Sequence, residues 1–182
     1  MIRGELVTLT ALDPANAETV RGWISDPAIN EWMVSGHVPV SALAERAWYA
    51  HAEQDIADGT AYNFEIHAND DSRLVGHCGL EHIDRFDRHG EIGIVIGQRA
   101  EHGKGFGRDA IVTLLRFGFE TLGLNTVRIR AIAGNERAVA LYRSVGFSDI
   151  GIYREGRYVR GQFHHVVLLD MTRADFDGRY AR

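Results

Sequence analysis

Residues 97–110 read GQRAEHGKGFGRDA, which puts glycines at 103, 105 and 107 between an apolar strand pattern and the clearest amphipathic helix of the chain. Alternate glycines let the backbone turn its N–H groups toward a ligand with no Cβ in the way, and the helix start that follows adds partial positive charge. The segment therefore predicts an anion site suited to phosphate. Lys104, the only lysine of the protein, stands inside it. The helix beyond carries Ile111, Leu114, Leu115, Gly118, Phe119 and Leu122 along one apolar stripe and stops at Gly123. Gly118 within that stripe costs about 1 kcal/mol relative to alanine, which predicts close backbone packing there.

The rest of the chain alternates between the two periods. Strands are predicted at 5–10, 62–67, 74–82, 91–97, 126–132, 147–153 and 163–171, and helices at 13–25 and 41–58. Asn135 caps a further helix that presents Ala138, Leu141, Tyr142 and Val145 on one face and ends at Gly146. The strands from 62 to 97 are joined by short polar loops and read as an antiparallel meander. The expected fold is α/β: a mixed, mostly antiparallel sheet with helices on both faces. At 182 residues the chain is expected to be a single domain, 1–182.

Composition removes several functions. The net charge of −5 argues against nucleic acid as a partner. That charge is split. Residues 1–91 hold 6 arginines and 16 acids, whereas residues 92–182 hold 13 arginines, one lysine and 9 acids, which reads either as surface charge divided by chance or as an anionic ligand on the C-terminal half and a cationic one near the N-terminal half. Cys78 is the single cysteine, which forbids an internal disulfide and fits a reducing cytoplasm. No signal pattern opens the chain, and no apolar run reaches the roughly 20 residues that cross a bilayer, so no membrane partner is expected. His77, Cys78, His82 and His89 lack the spacing of a zinc site, and no metal is expected. Trp23, Trp32 and Trp48 are assigned to the core.

The phosphate ligand can be narrowed. A nucleotide P-loop needs four residues between its first glycine and Gly-Lys-Ser/Thr, and no such run exists. Residues 105–110 match the dinucleotide pattern G-x-G-x-x-A, but the acidic residue due about 20 positions later is missing. A dehydrogenase is therefore disfavoured.

His102-Gly103-Lys104-Gly105-Phe106-Gly107 resembles the Arg/Gln-x-x-Gly-x-Gly/Ala loop of the GNAT acyltransferase superfamily, and residues 135–147, NERAVALYRSVGF, resemble its N-x-x-A-x-x-L-Y-x-x-x-G-F helix. With Trp23, the Ser25-Asp26-Pro27 step and the run Gly90-Glu91-Ile92-Gly93-Ile94, the chain is most similar to the branch that acetylates the N-termini of ribosomal proteins. The resemblance implies acetyl-CoA as co-substrate. It implies cofactor contacts from Ile94, Val95, Ile96, His102, Gly103, Lys104, Gly105, Phe106, Gly107, Arg108 and Asn135, with a strand amide for the oxyanion. Tyr142 is the implied donor to the departing thiolate. Two positions depart from the pattern: His102 stands where the loop usually begins with Arg or Gln, and His165 where relatives often carry aspartate.

Transfer to an amine also needs a proton acceptor, because an N-terminal amine (pKa about 8) or a lysine (about 10.4) is mostly protonated at pH 7. Glu91 opens the strand expected to carry the thioester and is the first candidate base, with Glu81, His82 and Glu65 in reserve. The resemblance implies a protein N-terminal α-amine as the acceptor. A small amine, antibiotic or polyamine acceptor, and a non-enzymatic acyl-CoA-binding module, stay open, as does the choice between monomer and homodimer.

Overall fold

A computed structural model describes residues 1–33 and 39–180. One eight-stranded sheet organises them, in the order β1-β2-β3-β4-β5-β6-β8-β7. The strands are β1 (Ile2–Arg3), β2 (Val7–Thr10), β3 (Tyr62–Ala68), β4 (Leu74–Asp84), β5 (His89–Ile96), β6 (Thr126–Ile132), β7 (Ser148–Val159) and β8 (Gln162–Thr172). Neighbours run antiparallel except β5 and β6, which are parallel. The meander predicted from 62 to 97 is present as β3, β4 and β5. The mixed, mostly antiparallel sheet matches the expectation.

Local signals explain the helices. Asp13 accepts from the Ala15 N–H and opens a short 3-10 turn, Pro14–Asn16, which leads into α1 (Ala17–Ser25). The predicted single helix at 13–25 is thus two pieces. Asp26 caps the one-turn α2 (Pro27–Asn30), and Ser41 caps α3 (Ala42–Asp58), which stops at Gly59 in the left-handed region. α4 (Phe106–Arg116) continues into a π turn, Phe117–Thr121, where the Leu122 N–H reaches the Phe117 carbonyl. A Cβ at Gly118 would lie 3.0 Å from Leu80, the close packing its sequence position predicts. Asn135 caps α5 (Glu136–Val145), which ends at Gly146 with φ 117°. β1, α2 and the final α6 (Arg173–Tyr180) have no counterpart in the sequence reading, and the strand predicted at 147–153 extends to Val159.

Side-chain parity divides the sheet between two helical layers. Ile92, Ile94 and Ile96 of β5 turn toward α4, whose Ile111, Leu114 and Leu115 are fully buried, and α5 contributes Val139, Tyr142 and Val145 to the same cluster. The opposite face carries Glu65 and His77 and receives α1 to α3. There Gly97 meets Trp23 so closely that any Cβ would overlap the indole. Asp109, in the first turn of α4, accepts the N–H groups of Glu5, Leu6 and Val7, fastening the β1–β2 turn to the glycine loop.

Candidate active site

The site is a gap in the sheet. β5 and β6 pair from His89↔Thr126 only as far as Ile92↔Ile129. Beyond that, β5 stays with β4 to Ile96↔Gly76, while β6 stays with β8 to Ile132↔Val166. The two strands therefore part, and their facing backbone groups lose each other as partners. Gly97 donates its N–H to Val75 of β4, and backbone groups alternate sides along a strand, so the groups of Ile94 and Ile96 point toward the gap. The Ile96 carbonyl accepts from His102 Nε2 at 3.0 Å. That leaves the Ile94 N–H and C=O, with the Ile96 N–H, facing the opening.

A cavity of about 1130 Å³ runs through this gap. It joins the glycine loop on one side of the sheet to the space under α1 and α3 on the other. At the loop, Gly103 has φ 79° and open space around its Cβ position, and Gly105 has φ 91° as the N-cap of α4. Asp109 is the first residue of α4 whose N–H closes a helical turn, onto Gly105; the N–H groups of Phe106, Gly107 and Arg108 precede it. This cradle offers a pyrophosphate several main-chain donors at once.

The predicted residues divide clearly. Ile94, Val95, Ile96, His102, Gly103, Gly105, Phe106, Gly107, Arg108, Asn135, Tyr142 and Glu91 all border the cavity. Lys104 does not: its ammonium lies 3.1 Å from Glu101, which also binds Arg73 at 3.0 Å. Tyr142 is 7% exposed, and burial pushes its phenol up to about 12, so it stays protonated at neutral pH.

Among the candidate bases, Glu91 is held by Arg130, with Nε 2.6 Å from its carboxylate. Glu81 faces Glu91 across the β4–β5 ladder and lies about 4 Å from the Cβ position of Gly93. Burial raises the Glu81 pKa, with Glu91 adding to the rise and His82 and Arg130 opposing it. The two other reserves do not border the cavity. His82 is exposed, and Glu65 is buried, accepting from the Asp13 N–H, Asn16 and His67. The tryptophan assignment needs correction: Trp23 is core, but Trp32 and Trp48 form part of the cavity wall, because α1 to α3 leave a channel between themselves and the sheet. Sequence reasoning missed Glu31, Glu45 and Arg137, which also line it. His165 takes no part; its Nδ1 accepts the Glu155 N–H at a bulge in β7. Among the described residues, the one close trio of possible metal ligands is Asp84, Asp87 and His89, on the β4–β5 turn. Among the described residues, no helix is long and apolar enough to cross a membrane.

Known proteins are similar to this chain in sequence and fold. The acetyltransferase (GNAT) domain family matches residues 7–148. The putative ribosomal N-acetyltransferase YdaF of Bacillus subtilis is 30% identical over 181 residues, covering 96% of this chain and 95% of its own. A crystal structure of a probable acetyltransferase superimposes with a TM-score of 0.84 at 29% identity, covering 94% of this chain and 95% of that one. Spermidine N-acetyltransferase from Vibrio cholerae, in complex with CoA and spermine, has the same fold, with a TM-score of 0.85 at 23% identity over 94% of this chain and 98% of that one. The chain belongs to the GNAT acetyltransferase family, and it is an N-acetyltransferase that uses acetyl-CoA.

Proposed function

We propose that the protein transfers the acetyl group of acetyl-CoA to the α-amine of a protein N-terminus, with the thioester lying in the β5–β6 gap. The observation that carries the reading is the unpaired Ile94 N–H, set in one cavity between the glycine loop and Tyr142. The loop amides hold the pyrophosphate. The Ile94 N–H stabilises the negative charge that develops on the thioester oxygen, a contribution of about 2.7–4 kcal/mol for one such donor. The Tyr142 hydroxyl donates its proton as the thiolate leaves.

The acceptor enters from the α1–α3 side, past an acidic wall of Glu31, Glu45, Glu81 and Glu91. Glu81 takes the ammonium proton, directly or through water, because a carboxylate with a raised pKa is a better match to neutral pH than an ordinary one. Glu91, held by Arg130, adds to the raised pKa of Glu81 and keeps it from ionising too readily. Near-complete coverage by the ribosomal-type relative supports an N-terminal acceptor. A polyamine acceptor is the second reading, favoured by the same acids with Trp32 and Trp48 beside them, since aromatic faces and carboxylates both attract ammonium groups. Free-thiol release from acetyl-CoA, measured against N-terminal peptides and polyamines in parallel, tests both. Turnover with neither class would overturn the acceptor assignment.

A further inference from the structure

The cations around the glycine loop are not equivalent. Arg73 and Lys104 both end on Glu101, so the charge of the loop's own lysine is already balanced. Arg99 and Arg108 also border the cavity with no ion pair among the described residues, and Arg108 meets the Tyr180 hydroxyl at 3.5 Å. Arg137, in the first turn of α5, is held by a different kind of partner. Its guanidinium donates to Nδ1 of His102 at 2.9 Å. Arginine carries donors only, so Nδ1 must accept, and the ring proton sits on Nε2, where it is donated to the Ile96 carbonyl. Both nitrogens of a neutral imidazole are thereby fixed. The guanidinium is aimed without being neutralised, for no carboxylate lies within ion-pair distance of Arg137 among the described residues.

The position of Arg137 points the same way. The first turn of a helix carries partial positive charge and favours acids, so an arginine there is electrostatically misplaced unless an anion joins it. Arg137 borders the same cavity as Gly103, Gly105 and Gly107. A planar guanidinium can bind two phosphate oxygens at once.

We infer that Arg137 is the side-chain cation for the CoA pyrophosphate and that His102 is the positioning residue that aims it. The inference rests on acetyl-CoA being the co-substrate. It assigns the loop's side-chain charge to α5, in place of the loop's first residue or its lysine.

Calorimetric titration of CoA and of dephospho-CoA, which keeps the pyrophosphate and lacks the 3′-phosphate, tests it. Arg137→Ala should weaken both ligands equally, by about 10- to 100-fold, the range of a charge-assisted hydrogen bond. His102→Ala should lose about 3- to 10-fold, and the double variant should bind no more weakly than Arg137→Ala alone. His102→Gln, whose amide can accept from Arg137 and donate to Ile96, should stay close to wild type. In turnover, Arg137→Ala should raise KM for acetyl-CoA and leave kcat nearly unchanged, a split that a merely structural role would not give. Unchanged CoA affinity in a folded Arg137→Ala protein, additive losses in the double variant, or a loss seen with CoA but not dephospho-CoA would each overturn the inference. A wild-type protein that binds no CoA would instead remove the acetyl-CoA reading itself.

Discussion

At the glycine loop, the groups aimed into the cavity are main-chain N–H groups, set by the positive φ of Gly103 and Gly105; at the acidic wall they are the side chains of Glu31, Glu45, Glu81 and Glu91, brought in by four separate segments. The first region is built mainly from backbone conformation, and the loop's own lysine ends on Glu101. The second depends on the identity of each side chain, and one replacement changes its charge. Acceptor choice should therefore be the more adjustable half of the protein.

Four measurements sharpen or break that contrast, the largest effect first. Tyr142→Phe should lower kcat by about 10²- to 10⁴-fold while CoA affinity holds, since only the hydroxyl is lost. An unaltered kcat with chemistry rate-limiting would return Tyr142 to a packing role.

Glu81→Gln should lower kcat/KM by about 10²-fold and flatten the acidic limb of its pH profile. The base works when ionised, so wild-type activity falls as pH drops through the raised Glu81 pKa. Glu91→Gln should keep the limb but move it to lower pH, because Glu91 raises the Glu81 pKa and its loss leaves Arg130 free to lower it. The opposite pattern, with the limb lost in Glu91→Gln and kept in Glu81→Gln, would restore Glu91 as base.

Gly105→Asp should weaken CoA by about 10-fold or more, by setting a carboxylate against the pyrophosphate. Its Cβ would also stand 2.9 Å from Leu6 in a left-handed backbone, so a lowered melting temperature should accompany the loss. Equal CoA affinity in the folded variant would show that the backbone cradle is not the anion site. The smallest effect belongs to the wall: kcat/KM for a cationic acceptor should fall severalfold between low salt and 0.5 M, as screening lengths shrink below about 8 Å. Salt independence with the best acceptor would make the charge split between the halves incidental.

The two regions also differ in how far the sequence revealed them. The glycine loop, the α4 stripe and the Asn135 and Gly146 ends of α5 were legible because caps, glycine conformation and helical period act over a few neighbouring residues. The wall was only partly legible. Glu81 and Glu91 stood out on their strands, but Glu31 and Glu45 had no signal of their own, and Trp32 and Trp48 read as core because an aromatic on a helix says nothing about which face is covered. The π turn escaped the stripe for a similar reason: 3.6-residue periodicity does not register one widened turn. The pairing of Arg137 with His102 joins residues 35 positions apart.

By itself, the sequence determined the main strands and helices from 62 to 147, the glycine loop and the helix that carries Tyr142, since each follows from local backbone preference. Tertiary structure alone decided where β5 leaves β6, which carboxylates of the wall have a raised pKa, and which cations near the loop are paired with a carboxylate. Those outcomes turn on distances between segments far apart in the chain, such as Arg130 to Glu91 and Lys104 with Arg73 at Glu101, and on the desolvation that packing imposes.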